Sequence, residues 1–538
     1  MLQTFFKFFE STLLDLGRQF KWSYLPPLMI YIAAGISGLT GIVGIFFIKD
    51  YLNLSAAFIA SLGFWVGIPW ALKMPLGHLV DLIWKHKNYM VFLGAGIISI
   101  SLLIMHYLIL HPKQMSNILP TETWYIISAI LAPIGYVIQD VVADAMTVEA
   151  VPIRDKSGQK YSDVEIKVMH TTMQTLGRFA IISGTVLVSL ANIILFQNAD
   201  NLTEIKKIEL YGSIYAYALI IPLISIAGVF LANYLKRKKF SDLLRINIPL
   251  SQHDGQHEKT DANYWILAGS AIFIVFTVSI GSFNIPYAQE IVFIGSLNII
   301  FFLMWKLIKE IPAENQLTLI GTAVIIFIYR AMPNPGPGLS WFEIDELGFN
   351  EQFFSILSLL ASMLTLAGII LLRPFMAQNS IANIIIVLSI AAAILYLPSI
   401  GMYYGLHNWT ASISNGVINA KFIAIINTAI ESPLGQVSMI PLLAWIAKNA
   451  PSHLKATFFA VFASFTNLAL SASALGTKYL NEGFIITREV KNKFTNKIIT
   501  SADYSELGLL LITIAIITLI TPVLAVIIIN KTSLKTSE

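Results

Sequence analysis

The stretch GYVIQDVVADAMTVEAVP, residues 135–152, places three carboxylates in an otherwise apolar segment. An ionised carboxylate near the centre of a bilayer is costly, so acidic residues in membrane helices usually face a bundle interior or a water-filled path. Asp140 and Asp144 are four residues apart and share one face of a helix. If the helix reaches the interface near Glu149, Asp140 lies roughly 13 Å from that end, which is close to mid-membrane. The stretch therefore predicts a polar pathway through a membrane protein, the alternative being an ion pair that only holds helices together.

The composition agrees with a membrane protein. Hydrophobic residues make up 56% of the 538-residue chain and charged residues 12%, and the mean hydropathy is +0.72. These values are typical of a polytopic membrane protein and exclude a soluble multidomain protein. The net charge of +4 is small and the Lys and Arg residues are clustered, so they indicate membrane topology and not nucleic-acid binding. Cysteine is absent, which excludes disulfide frameworks and Cys-ligated metal sites.

Fourteen apolar stretches are long enough to form membrane helices. They lie at residues 25–48, 54–76, 89–111, 123–149, 168–196, 211–235, 264–284, 287–309, 317–332, 353–372, 381–404, 418–447, 453–479 and 507–530. Residues 50–58, at the junction of the first two helices, align with residues 345–353, at the junction of the ninth and tenth. This internal similarity predicts two six-helix bundles with the hairpin 264–309 inserted between them.

The predicted fold is an all-α polytopic membrane protein with six segments. They are an amphipathic cytoplasmic segment 1–22, an N-terminal six-helix bundle 23–235, a cytoplasmic linker 236–263, the inserted hairpin 264–309, a C-terminal six-helix bundle 317–530 and a cytoplasmic tail 531–538. Because Lys and Arg favour cytoplasmic loops, their distribution places both termini in the cytoplasm and the chain in the cell (inner) membrane. The loop 480–506 carries four basic residues on the predicted outer side, against this trend.

The second helix and the segment after it read GIPWALKMPLGHLVDLIWKHKN, residues 67–88. The spacing of Gly77, Asp81 and Lys85 resembles the loop between helices two and three in the major facilitator superfamily. A glycine lets two helix ends approach closely, and Asp81 can pair with a base or a helix N-terminus in one gate state only. These residues are therefore expected to form an inner gate, the alternative being a solvated loop with anchoring charges.

A larger set of residues narrows the resemblance. The set contains Pro69, Trp70, Lys73, Gly77, Asp81, the run QDVVAD at 139–144, and Glu149. It resembles the folate-biopterin transporter family within the major facilitator superfamily, and the segments 329–353 and 456–473 resemble that family's seventh and eleventh core helices. The resemblance implies the major facilitator fold and secondary transport by alternating access. Departures are the hairpin 264–309, the loop 480–506, and Lys-His-Lys where an Arg-rich run is usual.

Several charged and polar residues lie where a membrane helix would not normally hold them. Arg178 lies ten residues into the fifth helix, at the depth assigned to Asp140, and is expected either to bind substrate or to form a structural pair with Asp140. Repeat symmetry places Glu431 and Asn467 near their counterparts in the second half. The candidate substrate-binding and proton-coupling residues are Asp140, Asp144, Arg178, Glu431, Asn467 and Gln139. The candidate gating residues are Lys73, Gly77, Asp81, Lys85, Glu149 and Arg330.

Arg330 has two interpretations. It lies toward the outer end of its helix and is expected either to anchor the acidic loop at residues 343–346 or to form part of an outer gate. His253 and His257 are spaced for a metal, but their polar linker offers no apolar shell and no fourth ligand, so no metal site is predicted. No cofactor is predicted either.

The function classes can be separated by the same residues. An intramembrane aspartyl protease brings its two acids from different helices, whereas Asp140 and Asp144 share one, so an enzyme is not expected. No nucleotide-binding motif is present, so an ion gradient should supply the energy. We expect a monomeric, proton-coupled secondary transporter in the bilayer for a small polar, anionic, folate- or pterin-like solute. Another coupling ion, and a carrier for muropeptides, peptides or amino acids, are the alternatives.

Overall fold

The computed structural model describes most of the chain. It covers residues 20–52, 54–71, 73–152, 159, 161–245, 264–282, 285–309, 312–434, 455–491 and 498–534. Most of the predicted segments 1–22 and 236–263, including His253 and His257, and half of the tail 531–538 therefore lie outside the described residues. We call the side that holds residues 49–56 the outer side, following the orientation predicted from Lys and Arg.

The described chain is almost entirely helical. The helices of its first part are α1 (Leu25–Ile36), α2 (Gly41–Tyr51), α3 (Ala56–Ala71), α4 (Lys73–Leu82), α5 (Asn88–Leu110), α6 (Pro112–Ser116), α7 (Thr121–Ala150), α8 (Asp163–Leu195), α9 (Glu204–Tyr217) and α10 (Ile220–Arg245). Those of the remainder are α11 (Tyr264–Ser282), α12 (Ala288–Ile308), α13 (Ala313–Arg330), α14 (Pro337–Asp345), α15 (Glu351–Leu371), α16 (Arg373–Gln378), α17 (Ile381–Tyr403), α18 (Leu406–Ile413), α19 (Ala420–Glu431), α20 (Lys455–Gly483) and α21 (Leu507–Lys531). A short antiparallel ribbon, β1 (Val490–Lys491) with β2 (Ile498–Thr500), lies in the loop before α21.

The predicted helix count is not reproduced in full. Within the described ranges, ten helices are long and apolar enough to cross a membrane, and two shorter apolar helices span Leu267–Gly281 and Gln316–Arg330. The predicted helix 418–447 is described only as α19 and the turn Ser432–Leu434. The figure of fourteen and the division into six segments therefore stay predictions.

The segment predicted as an inner loop after the second helix is helical instead. Lys73–Leu82 forms α4, which contains both Gly77 and Asp81. The apolar span that begins with α3 continues into α4 as far as Val80.

Two glycines allow α1 and α8 to touch backbone to backbone. A Cβ on Gly35 would meet the carbonyl oxygen of Ile181 and lie 2.9 Å from the Cα of Gly184. A Cβ on Gly184 would lie 2.6 Å from the carbonyl oxygen of Ile32. Small residues at a membrane helix crossing permit such close approach. The contact holds α8, the helix that carries Arg178, against α1.

Replacing Gly35 with alanine is expected to destabilise the protein by about 2 kcal/mol, because the added methyl group meets backbone that cannot rotate away. Thermal unfolding of the purified protein in detergent measures the effect. Gly44→Ala is the matched control, since nothing lies within 4 Å of a Cβ at that position. An equal change in both variants would contradict the packing argument.

Two pairs of packed helices join the two halves of the chain, and we call each pair a seam. In the first seam α3 packs against α20, where a Cβ on Gly67 would lie 3.0 Å from the hydroxyl oxygen of Ser471. In the second seam α8 packs against α15, where the Ser189 hydroxyl donates to the Ser358 hydroxyl at 2.9 Å. The two halves therefore contact each other through α3 with α20 and through α8 with α15.

The hairpin of α11 and α12 lies against the α3–α20 seam. Gln289 donates from Nε2 to the carbonyl oxygen and hydroxyl of Ser61 on α3, at 2.8 and 2.6 Å. The next residue, Glu290, pairs with Lys478 on α20 at 3.1 Å. Adjacent residues of the hairpin thus contact both halves of the chain.

Candidate functional site

The centre of the first half holds a cation between two acids. Lys73, at the start of α4, places its Nζ 2.6 Å from Oδ2 of Asp140 and 2.8 Å from Oδ2 of Asp144. Both acids lie on α7, one turn apart, so one ammonium group reaches both. Lys73 was expected in the gate and the acids in the substrate site, but the structure brings all three together.

Tyr31 and Arg178 border this cluster from α1 and α8. The Tyr31 hydroxyl donates to Oδ1 of Asp144 at 2.5 Å. A Cβ on Gly177 would lie 2.9 Å from the Tyr31 ring, so α8 passes close to that ring and presents Arg178 beside it. Arg178 is exposed and interacts electrostatically with Asp140 and Tyr31. It forms no ion pair with an acid in the described ranges, so the expected alternative of a direct Arg178–Asp140 pair is not seen.

Gln139 faces away from the cluster. Its side chain is buried, its Nε2 donates to the carbonyl of Val91 at 3.1 Å, and its Oε1 accepts from Ser225 at 3.0 Å. These contacts tie α7 to α5 and α10. Gln139, predicted as a substrate-binding residue, is therefore placed in the packing of the first bundle.

The second half contributes the acid Glu431. Glu431, at the end of α19, is exposed and interacts electrostatically with the hydroxyl groups of Tyr329 on α13 and Tyr396 on α17. Among the described residues no Lys or Arg pairs with it. Glu431 thus offers an acceptor in the same region as two tyrosine side chains.

Arg178 and Glu431 lie at similar depths. The Ser189–Ser358 hydrogen bond sets the register of the antiparallel helices α8 and α15. Arg178 precedes Ser189 by about 16 Å of helix, which brings it level with the inner part of α15 near Gly368. A Cβ on Gly368 would meet Pro433, two residues after Glu431. Arg178 and Glu431 therefore lie in the same layer of the membrane part.

Two other predicted residues lie in the contacts between helices. Asn467 donates from Nδ2 to the carbonyl of Trp70 at 3.2 Å, across the α3–α20 seam. Arg330 donates from Nε to the carbonyl of Thr466 at 3.2 Å. Arg330 thus contacts α20, and its expected role as a loop anchor or as part of an outer gate stays a prediction.

The inner side holds a second ion cluster. Glu149 pairs with Lys87 at 2.7 Å and with Lys236 at 3.4 Å, which joins α7 to the start of α5 and the end of α10. Lys85 is exposed. A Cβ on Gly77 would meet nothing within 4 Å, so the close approach expected there is absent. The side chain of Asp81 lies outside the described part, and its gating role stays a prediction.

The outer side is held by residues that the sequence did not single out. Arg488, from the loop before α21, donates from Nε and Nη1 to the carbonyls of Lys49 and Leu54 at 2.6 and 2.7 Å, and from Nη2 to that of Leu52. Lys49 also pairs with Asp345 of the second half at 2.5 Å. Arg488 and Lys49 thus fasten the α2–α3 turn to the second half.

A second outer contact joins α9 to α15. Glu351 is buried, pairs with Lys207 at 2.6 Å and accepts a hydrogen bond from Tyr211. Glu351 and Arg488 thus both join the two halves on the outer side. The sequence contained an indication of the role of Arg488. An Arg in an outer loop contradicts the usual charge distribution of membrane proteins, so a specific partner is expected for it.

The comparisons with known proteins agree with this architecture. A model of the BT1 family matches residues 34–538. The chain belongs to the BT1 family. A folate-biopterin transporter from Synechocystis sp. is 22% identical over 458 residues, which cover 84% of this chain and 74% of that protein. A putative folate transporter 2 from Plasmodium berghei is 27% identical over 229 residues, which cover 41% of this chain and 46% of that protein.

Solved structures share the fold of this BT1 family member. A POT family transporter in complex with 5-aminolevulinic acid matches with a TM-score of 0.60 at 12% identity, covering 94% of this chain and 95% of that one. The nucleoside transporter NupG matches with a TM-score of 0.52 at 11% identity, covering 96% and 100%. The predicted family and the predicted major facilitator fold are confirmed. The chain is a multi-pass membrane transporter and not an enzyme.

Proposed function

We propose that this transporter moves a small anionic solute of folate or pterin type by alternating access, with protons as the coupling ion. The observation that carries the proposal is the arrangement of charges in the membrane part. Lys73 contacts both Asp140 and Asp144, whereas Arg178 and Glu431, at similar depths, form no ion pair within the described residues. Unpaired charges in a membrane cavity are expensive, so a ligand with complementary groups is expected there.

The chemistry of a pterin or folate matches these two groups. A planar guanidinium such as that of Arg178 binds a carboxylate through two parallel N–H donors. A carboxylate such as that of Glu431 accepts from the amine and ring N–H groups of a pterin edge. Tyr329 and Tyr396, beside Glu431, supply aromatic surface for the ring. The names of the Synechocystis and Plasmodium relatives support the same substrate class.

Transport by purified protein in proteoliposomes tests the proposal. An inward proton gradient is expected to drive uptake of labelled folate or biopterin, whereas dipeptides, amino acids and muropeptides are expected to be poor substrates and poor competitors. Uptake confined to non-aromatic solutes would contradict the pterin assignment. Uptake that ignores the proton gradient would contradict the coupling assignment.

Replacing Arg178 with lysine sharpens this test. The variant keeps the positive charge and loses the two-donor fork, so apparent affinity for folate is expected to fall by about tenfold or more. Arg237→Lys, at an exposed position on the inner side, is the matched control. Equal affinities in the two variants would remove Arg178 from the binding site.

A further inference from the structure

The two acids of the central cluster are not equivalent. We propose that Asp140 carries the transported proton, and that Tyr31 is a positioning residue that keeps Asp144 ionised. This inference rests on the proposed proton-coupled function and adds to it the identity of the proton-binding acid. The sequence does not predict a positioning role for Tyr31, because this residue is one aromatic side chain within an apolar helix.

The hydrogen bonds separate the two carboxylates. Asp144 accepts at both oxygens, from Lys73 at Oδ2 and from Tyr31 at Oδ1. Asp140 accepts from Lys73 at Oδ2, and its Oδ1 has no donor among the described residues. Donors to a carboxylate stabilise its ionised form, so Asp144 is the better stabilised anion.

Burial acts in the same direction. The Asp140 side chain is 13% exposed and that of Asp144 is 43% exposed. Removal from water disfavours the charged form of a carboxylic acid. When two neighbouring carboxylates share one cation, the proton therefore goes to the more buried acid with fewer donors.

The charge balance around Asp140 indicates when the proton binds. The groups that face Asp140 are Lys73 from α4, Asp144 on the same helix, Arg178 from α8 and Tyr31 from α1. Within this group Lys73 and Arg178 balance the two acids. A solute carboxylate that engages Arg178 adds one negative charge to this group, and a proton on Asp140 restores the balance. Substrate and proton are thus coupled by electroneutrality, with one proton for the carboxylate that Arg178 binds.

Three single variants test the assignment in proteoliposomes with labelled folate. Asp140→Asn is expected to lose uptake driven by the proton gradient while exchange of folate across the membrane remains measurable. Asp144→Asn is expected to transport more slowly but to keep its dependence on the gradient. Tyr31→Phe removes a donor to ionised Asp144, so the external pH for half-maximal uptake is expected to rise by about one pH unit.

The outcomes distinguish this inference from the proposed function. The assignment of the proton to Asp140 is overturned if Asp144→Asn loses gradient-driven uptake, whether or not Asp140→Asn also loses it. The assignment is also overturned if Tyr31→Phe leaves the pH profile unchanged. In both cases the proposed function stands. If the wild-type protein shows no gradient-driven uptake of folate, the proposed function fails first. Asp140→Glu, which keeps a carboxyl group, is expected to restore gradient-driven uptake and so separates proton binding from a folding defect.

Discussion

Replacing Lys73 with methionine is expected to reduce transport by about a hundredfold in both uptake and exchange. The variant leaves Asp140 and Asp144 one turn apart without the ammonium group that both contact. Removing one partner of a buried ion pair costs about 3–5 kcal/mol of free energy. The Lys73–Asp144 pair contributes less than the Lys73–Asp140 pair, because the Asp144 side chain is more than one-third exposed. A net effect near 3 kcal/mol corresponds to the expected loss.

Uptake and exchange in proteoliposomes measure this effect, with size-exclusion chromatography as the check on folding. Lys113→Met, at an exposed position on the outer side, is the control. Lys73→Arg keeps the charge and is expected to retain part of the activity. Combining Lys73→Met with Asp144→Asn removes one uncompensated acid and is expected to recover exchange relative to Lys73→Met alone. Full activity of Lys73→Met would show that the cluster is unnecessary for transport.

Replacing Arg488 with alanine is expected to shift the protein toward a state open on the outer side. The guanidinium is buried and donates to three carbonyls of the α2–α3 turn, which belongs to the other half of the chain. Each hydrogen bond from a charged donor contributes about 1.5–3 kcal/mol, but the three contributions do not simply add up. A total near 3 kcal/mol would change the ratio of closed to open protein by about a hundredfold.

The absence of cysteine makes this shift measurable. A Ser358→Cys substitution creates one thiol at the α8–α15 seam, below the outer contacts. A membrane-impermeant maleimide added to intact cells is expected to label this thiol several-fold faster when Arg488→Ala is also present. Arg237→Ala serves as the control for loss of an arginine elsewhere. Equal labelling rates in the two backgrounds would exclude a gating role for Arg488.

The membrane part of the fold could be predicted from the sequence because its signals are local. Apolar stretches located the helices, and the acids at 140 and 144 stood out against their surroundings. Lys73 was assigned to a gate near the predicted end of the second helix at residue 76. The helical span instead continues to Val80, and Lys73 contacts the acids on α7.

The rest of the site depends on contacts between distant segments. Tyr31 is separated from Asp144 by 113 residues and Arg488 from Leu52 by 436, and one sequence carries no record of such pairs. Gln139 and Asn467 were chosen because they are polar within apolar helices. A polar side chain there can equally satisfy a neighbouring backbone carbonyl, and both residues do so. Residue type alone cannot distinguish the two uses.

The hairpin contacts at Gln289 and Glu290 limit how the two halves can move. One residue binds Ser61 of the first half and the next binds Lys478 of the second, and consecutive Cα atoms are only about 3.8 Å apart. While both contacts hold, the outer ends of α3 and α20 can rotate about this point but cannot separate. Within the described residues, no hydrogen bond or ion pair of this kind joins the hairpin to the α8–α15 edge. Any outward opening is therefore wedge-shaped, narrow beside the hairpin and wide on the opposite edge, so a bulky solute would enter from the α8–α15 side.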